Sequence, residues 1–156
     1  MNTKPNQHAL KLANFTPYRL AQLSKKISDR LSEKYQQQFD LTVPEWRILV
    51  HLADKSCADN PSVSAKIITR EASLDKSTAS RAIQTLLTKG FVLKQGDPVD
   101  KRAHVLLLST TGWSLYEKVA PLVLEWEREM LASLEPQQLE NFLAVLDKLD
   151  TYITNT

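Results

Sequence analysis

Leu74-Asp75-Lys76-Ser77-Thr78-Ala79-Ser80-Arg81-Ala82-Ile83 is the stretch on which the reading of the fold turns. Asp75 is a good helix cap, because its short carboxylate can accept the unpartnered amides of a first turn. Ala79, Ala82, Ile83, Leu86 and Leu87 then recur at helical spacing, which predicts a helix from Asp75 to Lys89 with one apolar face. Away from that face, Lys76, Ser77, Thr78, Ser80, Arg81, Gln84, Thr85 and Thr88 point outward. Short hydroxyls can approach phosphates and base edges closely, Arg can bond guanine in bidentate fashion, and Gln can do the same with adenine. Just upstream, Ser64 can cap a short helix carrying Ile67 and Ile68, and Ala72-Ser73-Leu74 makes a tight connection. Two helices joined in this way predict a helix-turn-helix whose second helix enters the major groove. An ordinary polar surface helix would have the same composition, so the flanking chain has to decide.

Downstream the period changes. Gly90 stands where a left-handed helix terminus favours glycine. Phe91-Val92-Leu93 is a short apolar run, Gly96-Asp97-Pro98 is turn chemistry, and Ala103 to Leu108 is apolar enough for a returning strand. The tip of this β-hairpin, Asp97-Pro98-Val99-Asp100-Lys101-Arg102, ends in two adjacent cations. A wing at that point in the chain would reach the minor groove, where an arginine exploits the negative potential of A·T-rich sequence. Asp100 suits the role of an acceptor that holds an arginine in position. A plain surface turn is the competing reading.

Working outward, Thr16-Pro17 reads as a helix start, with Thr16 as cap and Pro17 at the first helical position. Leu20, Leu23, Ile27, Leu31 and Tyr35 carry the helix to about Gln38. Thr42-Val43-Pro44-Glu45 has capping-box spacing and opens a helix with Trp46, Leu49, Val50 and Leu52. Residues 54–62 read as a loop. Ser109 can cap a long helix to about Leu131, with Pro121 a point of kinking, and Glu135-Pro136 starts a last helix. Leu139, Phe142, Leu143, Leu146, Leu149 and Ile153 form its apolar stripe. These terminal stripes could pack on each other within one chain or on a second copy. A second copy is favoured, because burying both needs more surface than the small central unit offers.

The expected architecture is mainly α with a small β-hairpin wing, a single unit over 1–156. Residues 42–108 form the winged helix-turn-helix, and residues 16–38 and 109–154 form dimerisation helices. At 156 residues the chain can build its core without a disulfide or metal staple. Net charge is only +2, but its distribution is uneven. Residues 1–38 hold seven basic against two acidic side chains, residues 70–104 seven against four, and residues 121–156 two against seven. A basic middle and an acidic end suit one face meeting a polyanion. Long helices with solvated charges would give a similar pattern. No apolar run approaches the roughly 20 residues of a membrane span, and the single Cys57 suits a reducing cytoplasm.

At this point the chain resembles the MarR (multiple antibiotic resistance regulator) family. The matching segments are Leu41 to Leu49, Leu74 to Ile83, Leu86 to Val92, Asp97 to Ala103 and Leu108-Ser109-Thr110-Thr111-Gly112. The resemblance implies a homodimeric repressor on a pseudo-palindromic operator in double-stranded DNA. It places wing contacts at Asp100, Lys101 and Arg102, and recognition-helix contacts at Lys76, Ser77, Thr78, Ser80, Arg81 and Gln84. It also implies release by a small aromatic effector in a cleft that Tyr35, Phe39, Trp46 and His51 could border, unless these are plain packing residues. Two departures from the family pattern stand out, Ser73 where glycine is common and a longer loop at 54–62.

Redox sensing through Cys57 is an open alternative, since the nearby Lys55 favours a thiolate and burial opposes it. His8, His51 and His104 are scattered, so neither a metal nor a cofactor is expected. No phosphate-binding glycine loop, nucleophile elbow or metal-binding His pair points to an enzyme. A winged-helix module that binds protein and has lost DNA is the other reading, and Arg81, Lys101 and Arg102 argue against it.

Overall fold

In a computed structural model, residues 10–56, 63–96 and 104–155 are described, and they fall into two compact units divided between Val119 and Ala120. The first unit begins with a 3-10 turn at Leu12–Asn14. It then carries helices α1 (Thr16–Ser32), α2 (Gln36–Phe39), α3 (Val43–Ser56), α4 (Ala65–Glu71) and α5 (Lys76–Thr88). Strands β1 (Val63–Ser64), β2 (Val92–Gly96) and β3 (His104–Leu108) form its sheet, and α6 (Thr110–Leu131) begins in it. The second unit holds the rest of α6 and α7 (Pro136–Thr154).

The core of the first unit forms where α3, α4 and α5 pack over the sheet. Ile48, Leu49 and Leu52 of α3, Ile68 of α4, Ala79 and Leu86 of α5, and Val92, Val105 and Leu106 of the strands are buried there. The capping box at α3 closes as its spacing predicts. Thr42 N donates to Glu45 Oε2 at 2.7 Å, and Glu45 N donates to Thr42 Oγ1 at 3.4 Å. Ser64 and Asp75 cap α4 and α5, accepting from the amides of Ile67 and Thr78. Gly90 takes the left-handed conformation (φ 73°) expected after α5.

The sheet is antiparallel with order β1-β3-β2. The hairpin register sets Val92 opposite Leu108 and Gly96 opposite His104. Strand β1 was not expected from the sequence. Two residues show no period, yet Val63 is buried opposite Leu106 and makes β3 the central strand.

Three boundaries differ from expectation. The first helix ends at Ser32 rather than running to Gln38, with a turn before the separate α2. Tyr35 leaves the helical region (φ −131°, ψ −21°) and buries its ring against Trp46, centroids 5.5 Å apart. Burial of a large aromatic outweighs one more helical turn. The cap of α1 is Phe15, without a side-chain bond, because the Arg19 amide closes the first turn on the Phe15 carbonyl. The loop expected from residue 54 starts later, since buried Ala53 extends the apolar face of α3 and the helix continues to Ser56.

In the second unit α7 opens with a capping box, Glu135 N donating to Gln138 Oε1 at 2.9 Å. No residue of α7 is buried. Phe142, Leu143, Leu146, Leu149 and Ile153 are all exposed, as are Leu122 and Leu124 of α6.

Candidate nucleic-acid interface and adjoining cleft

The outward face of α5 is positioned by contacts at both ends. At its start the Asp75 carboxylate accepts the Thr78 amide at 2.9 Å. The Thr78 side chain, then the amides of Thr78 and Ser77 and the Arg81 charge, hold the Asp75 carboxyl below the usual carboxylate range. In the turn before it, Ser73 adopts a left-handed φ of 52°, the conformation for which glycine is common. Arg47 of α3 reaches this turn with a long hydrogen bond of 3.5 Å to the Ala72 carbonyl.

At the other end of α5, Lys89 Nζ donates to the Asp40 carbonyl at 2.5 Å and pairs with the Asp40 carboxylate at 2.9 Å. The buried Glu45 carboxylate lies 3.8 Å from the same ammonium. One residue on, the Gly90 carbonyl accepts from Ser109 Oγ at 2.6 Å and Thr111 Oγ1 at 2.8 Å. Helix α5 is thus tied to the neighbourhood of α2, α3 and α6.

Between these anchors Lys76, Ser77, Ser80, Arg81 and Gln84 are exposed on one face of α5, while Thr78 is half-buried. Asp100, Lys101 and Arg102 of the wing lie outside the described residues, as do His8 and Cys57. Sequence reasoning passed over Lys66 and Arg70 of α4 and Lys94 of β2. With Lys76, Ser80 and Gln84 they line a groove of about 700 Å³ beside α5. The i, i+4 spacing of Lys66 and Arg70 was a usable signal, but Lys94 gains meaning only from the strand register.

A second hollow of about 250 Å³ opens between α1 and α3. It brings together three of the four residues expected at an effector cleft, Tyr35, Trp46 and His51, and adds Arg47. Phe39 is half-buried and is not part of its lining. Behind this wall Trp46 stacks on Tyr116 at 6.0 Å, and Trp113 meets Tyr116 edge-on at 5.9 Å. Burial pushes the Tyr35 phenol up to about 12, against an opposing pull from Arg47. It therefore stays protonated at neutral pH. Among the described residues there is no cluster of His, Cys, Asp and Glu that could hold a metal, and no helix long and apolar enough to cross a membrane.

A family model described as "MarR family" matches residues 39–103, which run from the end of α2 to the end of the wing segment. The chain is 29% identical over 89 residues to the HTH-type transcriptional regulator BilQ of Clostridium symbiosum (strain WAL-14163). That stretch covers 57% of this chain and 62% of BilQ. Among solved structures, a MarR/EmrR family transcriptional regulator from Acinetobacter sp. ADP1 superposes with a TM-score of 0.80 at 26% identity, covering 94% of this chain and all of that one. A MarR variant from E. coli complexed with operator DNA shares the fold, with a TM-score of 0.70 at 23% identity over 84% of this chain and 91% of that one. The matched residues contain α3, α4, α5 and β2, and over them and in its fold the chain is similar to regulators of the MarR family.

Proposed function

We propose that the chain is a sequence-specific DNA-binding transcriptional repressor that binds a pseudo-palindromic operator as a homodimer and is released by a small aromatic effector. The observation that carries this reading is the outward face of α5, where Lys76, Ser77, Ser80, Arg81 and Gln84 are exposed together. With the E. coli relative bound to operator DNA, the same face is assigned here to the major groove, and Arg102 of the wing to the minor groove.

The homodimer is supported by the stripe of exposed apolar side chains on α7, which a monomer would leave in water. At about 25 cal/mol per Å² of apolar area removed from water, a second copy covering such stripes gains several kcal/mol. The effector reading is supported by the hollow beside Tyr35 and Trp46, where Arg47 would favour an acidic group on the ligand. The helices 16–38 and 109–154 serve as the dimerisation elements, and the protein works in the cytoplasm.

Titration of labelled promoter-region fragments, followed by fluorescence anisotropy at several salt concentrations, tests the assignment. Tight binding to one fragment that weakens steeply with salt is expected. A flat salt response with no fragment preferred would favour a protein-binding module instead.

A further inference from the structure

We propose that Lys66 and Arg70 of α4, with Lys94 of β2, form a phosphate-binding rail that takes the DNA backbone strand running beside the recognition helix. The inference rests on the DNA-binding reading and extends it to a surface outside the helix and the wing tip.

All three side chains line the groove of about 700 Å³ between α4, α5 and the sheet. Its floor is apolar, built from Ile83, Leu87 and Leu106, so it offers the cations no counter-charge. Among the described residues Lys66 and Lys94 make no ion pair. Arg70 comes only within 4.0 Å of Glu71, whose other oxygen is engaged by Lys55 at 3.2 Å. Lys66 and Lys94, with Arg70 held only by that long contact, give the rim a positive field that a bound anion would neutralise.

Three geometric facts favour a polyphosphate strand as that anion. Lys66 and Arg70 stand one helical turn apart, on the same side of α4. Lys94 is paired with Leu106 across the hairpin, and paired residues project from the same side of a sheet, so it faces the groove with that leucine. Cations thus come from α4 and from β2, on elements flanking α5, which is where a backbone must pass when α5 occupies the major groove. The groove is also continuous with the base-reading face, because Lys76, Ser80 and Gln84 line both.

Phosphate contacts add affinity and salt dependence but carry no sequence information. The test therefore measures the slope of log K against log salt concentration for the dimer on its operator. K66Q, R70Q and K94Q are compared with wild type and with K118Q, a charge removal on an exposed face of α6 away from the groove. Each phosphate contact contributes about 0.9 to the slope, and a palindrome uses each residue twice, so every rail substitution should lower it by roughly two. The ratio of operator to unrelated-DNA affinity should stay unchanged, K94R should restore the slope, and K118Q should leave it near wild type. Slopes for the three variants equal to that of K118Q would overturn the rail. So would lost discrimination at an unchanged slope, which marks base contact instead. Failure of wild type to bind any fragment would be a different result, refuting the DNA-binding reading itself. The substituted side chains are exposed, and thermal melting checks that each variant remains folded.

Discussion

Lys89 reaches back 49 residues along the chain to Asp40, donating to its carbonyl at 2.5 Å while pairing with its carboxylate. Asp40 is itself left-handed (φ 48°), so the lysine fastens the end of α5 to the sharp bend that closes α2. Since Glu45 is buried and lies 3.8 Å from the same ammonium, removing the cation leaves that carboxylate its Thr42 amide but no nearby positive charge. Lys89→Met keeps the aliphatic stem and deletes the charge. It should lower unfolding stability by about 1–3 kcal/mol, the usual cost of losing a charged partner at a buried site. Urea denaturation measures this, and an unchanged midpoint would rule out an energetic role for the clasp.

Gly112 sits where no other residue fits. A Cβ there would come within 2.0 Å of the Phe91 carbonyl oxygen, a backbone atom that cannot turn aside. Meanwhile the Gly112 amide donates to Ser109 Oγ at 3.0 Å, fixing the start of α6 against the strand. Gly112→Ala should therefore destabilise the protein by about 1–3 kcal/mol, as overpacking does. A melting temperature equal to wild type would show that the junction can open without cost.

Tyr35 gives the fold an alkaline limit. In the unfolded chain its phenol ionises near 10.0, while in the folded protein burial raises this to about 12. The folded state holds that proton more tightly, so the contribution is complete below pH 10 and is lost as pH rises toward 12. The stability advantage of wild type over Tyr35→Phe should shrink across that interval and be constant below it. A difference that does not vary with pH would mean that the ring titrates normally.

On the proposed DNA-binding reading, Arg102 and Arg81 separate the two elements assigned to DNA. Arg102→Ala should reduce operator affinity strongly while leaving the sedimentation coefficient at that of the dimer, because the wing takes no part in the expected dimer contact. Arg81→Ala should relax base preference at the positions it reads, costing on the order of 1–3 kcal/mol per half-site. Binding isotherms on the operator and on single-base variants distinguish these outcomes. Identical isotherms for Arg102→Ala and wild type would remove the wing from the interface.

Much of the helix-turn-helix was legible because its signals are local. Thr42, Ser64, Asp75 and Gly90 each announce an element end through a bond or conformation that neighbouring residues determine, and each stands in the expected place. The break at Ser32 was not legible, since Tyr35 satisfies the helical period and leaves it only for a contact with Trp46, a residue distant in sequence. Strand β1 was hidden for the same reason. Its two residues acquire strand geometry from β3, more than 40 positions away. At the candidate interface the outward residues of α5 followed from periodicity, whereas the groove depended on how α4 and β2 flank them. Phe39, named for the cleft only through the family resemblance, is half-buried and does not line the hollow that holds Tyr35, Trp46 and His51.

The central place of β3 has a consequence for how such a protein can change. Its register is set twice, by β2 on one side and by β1 on the other, through Val63 opposite Leu106 and Ser64 opposite Val105. A change that loosens the β2 side therefore leaves β1 to hold β3 in register. The outer strand can accumulate substitutions without a slip that would turn Val105 and Leu106 out of the core.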